Sequence, residues 1–162
     1  MTIRKRLASG LLLIALINGR RIQAQTPITP DASASVQETL SSFLTAFDNL
    51  DWPVFRSFFA DDATMFHPAA PNERRIDTPE QFEKAWLGVF ARIKRQSGRA
   101  APPYMDLQPK DLKIQLLSPD VALATFHLLD GTTLSRRTIV LKRYPAGWKI
   151  VHIHASNLTV DK

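Results

Sequence analysis

Apolar residues recur along the chain with two different spacings, and the change between them divides it into a helical half and a strand half. Val36, Leu40, Phe43, Leu44, Phe47 and Leu50 step by threes and fours, the stripe that one helix face presents to a core. Asp51 followed by Trp52-Pro53 restarts the chain as a short second helix running through Phe59, with a side-chain cap and a proline in the first turn. Ala60-Asp61-Asp62 ends it, and Ala63–His67 is a short extended piece closed by Pro68. Thr78-Pro79-Glu80-Gln81 is a capping box that opens a third helix. That helix carries Phe82, Ala85, Trp86, Val89, Phe90 and Ile93 on one face, and Gly98 follows its end.

Beyond Gly98 the period becomes that of strands. Leu112–Leu117, Val121–Leu129, Leu134–Arg143 and Trp148–Ser156 are separated by Ser-Pro-Asp, Asp-Gly-Thr-Thr and Tyr-Pro-Ala-Gly turns. Connections this short pair strands antiparallel. Helices first and a strand meander after them predict the α+β class, with helices packed on one sheet face. A sheet with one wet face alternates apolar and polar residues. Here Ala122, Ala124, Phe126 and Leu128 occupy one face, and Val121, Leu123, Thr125 and Leu129 the other. Helices cover one of these faces. A second copy of the chain is the economical cover for the other, so a homodimer through the sheet is expected, the alternative being a strongly curved monomeric sheet.

Composition narrows the function. The 162 residues contain no Cys, which excludes disulfide frameworks, thiolate metal sites and thiol nucleophiles. The formal charge is +6, but Arg4, Lys5, Arg6, Arg20 and Arg21 all precede the first acid, Asp31. The remaining chain carries 16 basic against 15 acidic residues, too balanced to track a phosphate backbone, so no nucleic-acid partner is expected. Residues 1–24 have the form of a secretory signal peptide: Arg4-Lys5-Arg6, the apolar run Leu7–Ile17, and Gln23-Ala24-Gln25 as the cut. An apolar run that short does not reach the ~20 residues of a spanning helix, so no stable membrane insertion is expected after cleavage. This predicts a secreted or periplasmic protein with a leader at 25–30 and one domain at 31–160.

Two segments carry a resemblance: Phe-Ala-Asp-Asp-Ala-Thr-Met-Phe-His-Pro at 59–68 and Gly-Trp-Lys-Ile-Val-His-Ile-His-Ala-Ser at 147–156. With the order of elements, they resemble the SnoaL-like branch of the nuclear transport factor 2-like superfamily over about residues 31–158. The resemblance implies a cone-shaped α+β barrel, dimeric through its sheet, with a pocket between sheet and helices. Ketosteroid isomerases of that superfamily hold their general base at the position of His67. Their oxyanion tyrosine falls on Phe43 and their oxyanion acid around Thr138–Val140, where this chain has neither group. The arginine positions of the related kinase association domain fall near Ala124, Ile139 and Ala155. Neither of those pockets is reproduced, and one scaffold hosts many chemistries.

His67 is therefore the candidate acid/base, since an imidazole exchanges protons near neutrality; the alternative is a histidine bonded to backbone at a cavity mouth. Phe43, Phe59, Met65, Trp86 and Phe90 are the expected pocket lining. Arg136 and Arg137 are neighbours on one strand, so one faces inward, to meet an anionic ligand or to pair with Asp130 or Asp106; Arg136 is assigned to the pocket. His152 and His154 share a strand face that could chelate a metal only with a third ligand such as His127, and the resemblance implies instead that they belong to the dimer face; no metal is expected. Nucleophile elbows, phosphate loops and dinucleotide fingerprints are missing from the sequence, and no cofactor is expected. Three readings remain. They are a binder of a small apolar or weakly polar organic molecule, a proton-transfer enzyme of the isomerase, cyclase, dehydratase or hydrolase type, and a dimerisation module without an active pocket.

Overall fold

A computed structural model describes residues 30–68, 74–130 and 133–159. The expected signal peptide and nearly all of the leader lie outside those residues. The elements are α1 (Pro30–Asp48), α2 (Trp52–Ser57), β1 (Phe59–Phe66), α3 (Pro79–Ser97), β2 (Lys110–Ser118), β3 (Val121–Asp130), β4 (Thr133–Tyr144) and β5 (Gly147–Thr159). Local chemistry sets the helix ends. The Asp51 carboxylate accepts from Val54 N at 3.2 Å, and the Thr78 hydroxyl from Gln81 N at 3.3 Å. Gly98, at φ 63°, ends α3 in the left-handed conformation that glycine adopts without strain.

The five strands form one mixed sheet in the order β1-β5-β4-β3-β2. The meander β2 to β5 is antiparallel, while β1 runs parallel to β5 at the far edge. Because β1 and β2 are both edges, the sheet curves over the helices without closing, an α+β half-barrel. The second helix is shorter than its sequence signals: it stops at Ser57, and Phe59 already belongs to β1. Sheet hydrogen bonding explains the difference. Ile150 N donates to Phe58 O at 2.8 Å and Phe59 registers with Ile150, so the parallel pairing draws these residues out of the helix.

Helices α1 to α3 cover the inner sheet face. Ala122, Ala124, Phe126 and Leu128 of β3, Ile139 and Leu141 of β4, and Ile150, Ile153 and Ala155 of β5 are buried there. A bulge at Val140/Leu141 lets β5 keep the same face inward on both sides of the irregularity. The outer face carries the second apolar set: Val121, Leu123, Val140 and Val151 are half-buried, and Leu129 is 61% exposed.

Candidate functional site

The expected lining residues come together, but as a packed interior. Phe43, Phe59, Met65, Trp86 and Phe90 all lie in the buried core. Phe55 sits at the centre of the aromatic set, with ring centroids 4.6 Å from Trp86, 5.1 Å from Phe43 and Phe90, and 5.2 Å from Phe59. Edge and tilted geometries dominate these contacts, as ring quadrupoles favour. Trp86 Nε1 is buried with no hydrogen-bond acceptor among the described residues.

The polar groups lie one layer further out, toward the end of the sheet where β1, β3 and β5 finish and β4 begins. Alternation on β1 buries Ala63 and Met65 and leaves Thr64 and Phe66 on the other face, and half-buried His67 follows the end of the strand. Phe66 registers with His154, the last pair of that ladder. Ala155 pairs with Arg137, and Arg137 pairs with Phe126. Arg137 and Ala155 therefore share an inner row, next to the end of β1 from which His67 follows. One step toward the rim, Leu128, Ser135 and Asn157 form the next inner row, where Ser135 Oγ donates to Asn157 Oδ1 at 2.9 Å.

Arg136 is not the inward arginine. It pairs with His127 and Ser156 on the outer face, and its Nε donates to Ser156 Oγ at 3.1 Å. Strand parity decides this: Ile139 and Leu141 are the buried residues of β4, and only Arg137 is in phase with them. Both faces of β4 are apolar in sequence, so the signal that would have settled the phase was weak. Arg137 NH1 donates to the backbone oxygen of Arg136 at 2.9 Å, and no carboxylate of a described side chain pairs with it. Burial alone lowers its pKa to about 10. Of the two expected counter-charges, Asp106 accepts from Gln108 Nε2 at 3.1 Å, and the Asp130 side chain lies outside the described residues.

A cleft of about 510 Å³ opens at this same end, between the last turn of α3, the 104–108 segment and β3. Ile93, Ser97, Tyr104, Leu107, Gln108 and Leu128 are among its walls. Leu128 is the in-register partner of Ser135, which places the cleft beside the Arg137 row.

The remaining histidines occupy the outer face. His152 Nδ1 lies 2.7 Å from the Thr64 hydroxyl, and the Phe66 ring stands 5.7 Å from His152 and 5.5 Å from His154. Burial, then the charges of His154 and Arg75, holds the His152 pKa below the ordinary histidine range. His127 approaches Asp111 at 3.4 Å. Among the described residues, no three metal-donating side chains converge, and no helix is long and apolar enough to cross a membrane.

Comparison with known proteins agrees with this architecture. The SnoaL-like domain family matches residues 36–161. Among solved structures, the chain is similar to a protein of unknown function from Pseudomonas putida with the nuclear transport factor 2-like fold (TM-score 0.64, 18% identity, covering 80% of this chain and 89% of that one). It is also similar to a ketosteroid isomerase-like protein from Erwinia carotovora atroseptica (TM-score 0.61, 17% identity, 81% and 99%). A third is the calcium/calmodulin-dependent kinase II hub homology domain of Chlamydomonas reinhardtii (TM-score 0.58, 16% identity, 79% and 99%). These likenesses concern the fold. Among proteins of curated function, none matches the sequence significantly.

Proposed function

Because the chain belongs to the SnoaL-like domain family, we propose that it is an exported protein that binds a small organic molecule at the open end of its half-barrel. The observation that carries this reading is the gathering of polar groups on the inner face. Arg137, Ser135 and Asn157 stand on two adjacent inner rows beside a cleft, at the end of the sheet where β1 leads into His67. A shaped apolar site with a few convergent polar groups is the usual form of a small-molecule pocket. The signal-like residues 1–24 support export to the periplasm or medium. The half-apolar outer face supports dimerisation, and a hub domain is among the proteins of similar fold.

Catalysis of proton transfer is the second reading, and Arg137 is what favours it. An imidazole acting as acid or base needs a partner that stabilises the charge developing on the substrate. The sequence offered no such partner for His67. The Arg137 guanidinium, at the same end of the sheet, supplies one.

A thermal-shift screen of a broad library of small organic molecules tests the binding reading, with wild type and His67→Ala compared at pH 7.5 and 5.5. The protein is recovered from a secreting host, where an intact mass beginning near Gln25 also checks export. Saturable shifts that weaken in His67→Ala are expected. A library that shifts neither protein, with His67→Ala as stable as wild type, would leave only the dimerisation module.

A further inference from the structure

Arg137 presents a chemical question that folding alone does not answer. Burying a cation is costly unless it is paired. Yet this half-buried guanidinium sits on the inner sheet face between Phe126 and Ala155, with one backbone oxygen as its hydrogen-bond partner. A guanidinium has five N–H donors in a planar fork, so most of its donors have no partner among the described residues. The residue beside it in the row is Ala155, whose side chain is a single methyl with nothing to pair a cation. Ser135 and Asn157 stand one row away with hydroxyl and amide groups.

We propose that Arg137 anchors the acid group of a monocarboxylate ligand, whose apolar body lies along Phe126, Leu128 and the adjoining cleft. This rests on the binding reading above and names its ligand class. A carboxylate fits the fork of an arginine with two parallel hydrogen bonds. One guanidinium balances one negative charge, so a monoanion matches the site better than a phosphate dianion. The cleft mixes Ile93, Leu107 and Leu128 with Ser97, Tyr104 and the Asp106 carboxylate, so the body of the ligand is apolar where it follows Leu128 and carries no second negative charge. Ser135 and Asn157 are positioned to accept or donate hydrogen bonds at the rim, and they set the depth to which the acid group enters.

Matched pairs test the assignment: 2-naphthoate against 2-naphthamide, and decanoate against decanamide, titrated calorimetrically at pH 7.5 into the full-length secreted protein. Each pair keeps the apolar body and changes only the charge. Charge-assisted hydrogen bonding predicts that the acid binds about ten- to a hundred-fold more tightly than its amide. Arg137→Gln is expected to abolish that preference while leaving amide affinity in place. Arg137→Lys, which keeps the charge and loses the fork, is expected to retain part of it, and circular dichroism confirms that each variant is folded. The comparison of acid with amide in wild type stands even if a variant fails to fold. Amides binding as tightly as acids would overturn the carboxylate assignment and leave the pocket intact. Library hits without binding of either pair would do the same. No binding of the pairs and no library hits would overturn both.

Discussion

His152 shows how one residue ties the outer face to pH. Its ring is bonded to the Thr64 hydroxyl, edged by Phe66, and held below the normal histidine pKa first by burial and then by His154 and Arg75. A depressed folded-state pKa means that the neutral form is favoured in the folded protein. Its stabilising contribution is present above the unfolded value of ~6.5 and is lost as pH falls through the lower folded value. Covering the same face with a second copy adds burial and moves the balance further in that direction. Light scattering after size exclusion should therefore find a dimer at pH 7.5 and a growing monomer fraction below about pH 6.5, with His152→Gln less sensitive to acid. A monomer at every pH would remove the dimer, and a dimer indifferent to pH would remove the role of His152. The arginine pair teaches the complementary lesson. Sequence reading put Arg136 inside where the structure puts Arg137, because Ile139 and Val140 are equally apolar neighbours in opposite phases. Only the register, which buries Ile139 and Leu141, separates them.

At the scale of elements, most boundaries were legible because they rest on local chemistry. The α1 stripe, the Asp51 and Thr78 caps, Gly98 and the three strand turns all act within a few residues of themselves. The start of β1 was not legible. Phe59-Ala60-Asp61-Asp62 lacks strand alternation, and its register with β5 shifts between Phe59 and Thr64, so its extended form depends on a partner about 90 residues away in sequence. Helix α2 is also a tertiary product: six residues are too few to hold a helix in isolation. Phe55 pins it into the core with no exposed surface, touching rings from α1, β1 and α3. Phe55→Ala should cost about 3–5 kcal/mol in urea unfolding, the range for deleting a buried aromatic ring. A loss below ~1 kcal/mol would mean that the aromatic floor is loosely packed, since even one methylene is felt in a dense core.

Across the whole molecule, the two sheet faces divide the work. The inner face runs from a packed aromatic floor to polar rows at the open end, while the outer face carries the apolar and histidine surface on which a second copy docks in the proposed dimer. The class of fold followed from helices preceding a meander. The position of the site did not, because it depends on register: β4 brings Arg137 beside Ala155 of β5, and β5 meets the end of β1, about 90 residues away in sequence, just before His67. The most direct test is a ¹H–¹⁵N correlation spectrum of the labelled protein titrated with 2-naphthoate at pH 7.5, observing backbone amides and arginine Nε–H groups. Saturable shifts concentrated at His67, Phe126, Leu128, Ser135, Arg137 and Asn157, including the Arg137 side chain, are expected. Shifts centred instead on Leu123, Val140 and His152 would place the ligand on the outer face and contradict a site inside the half-barrel.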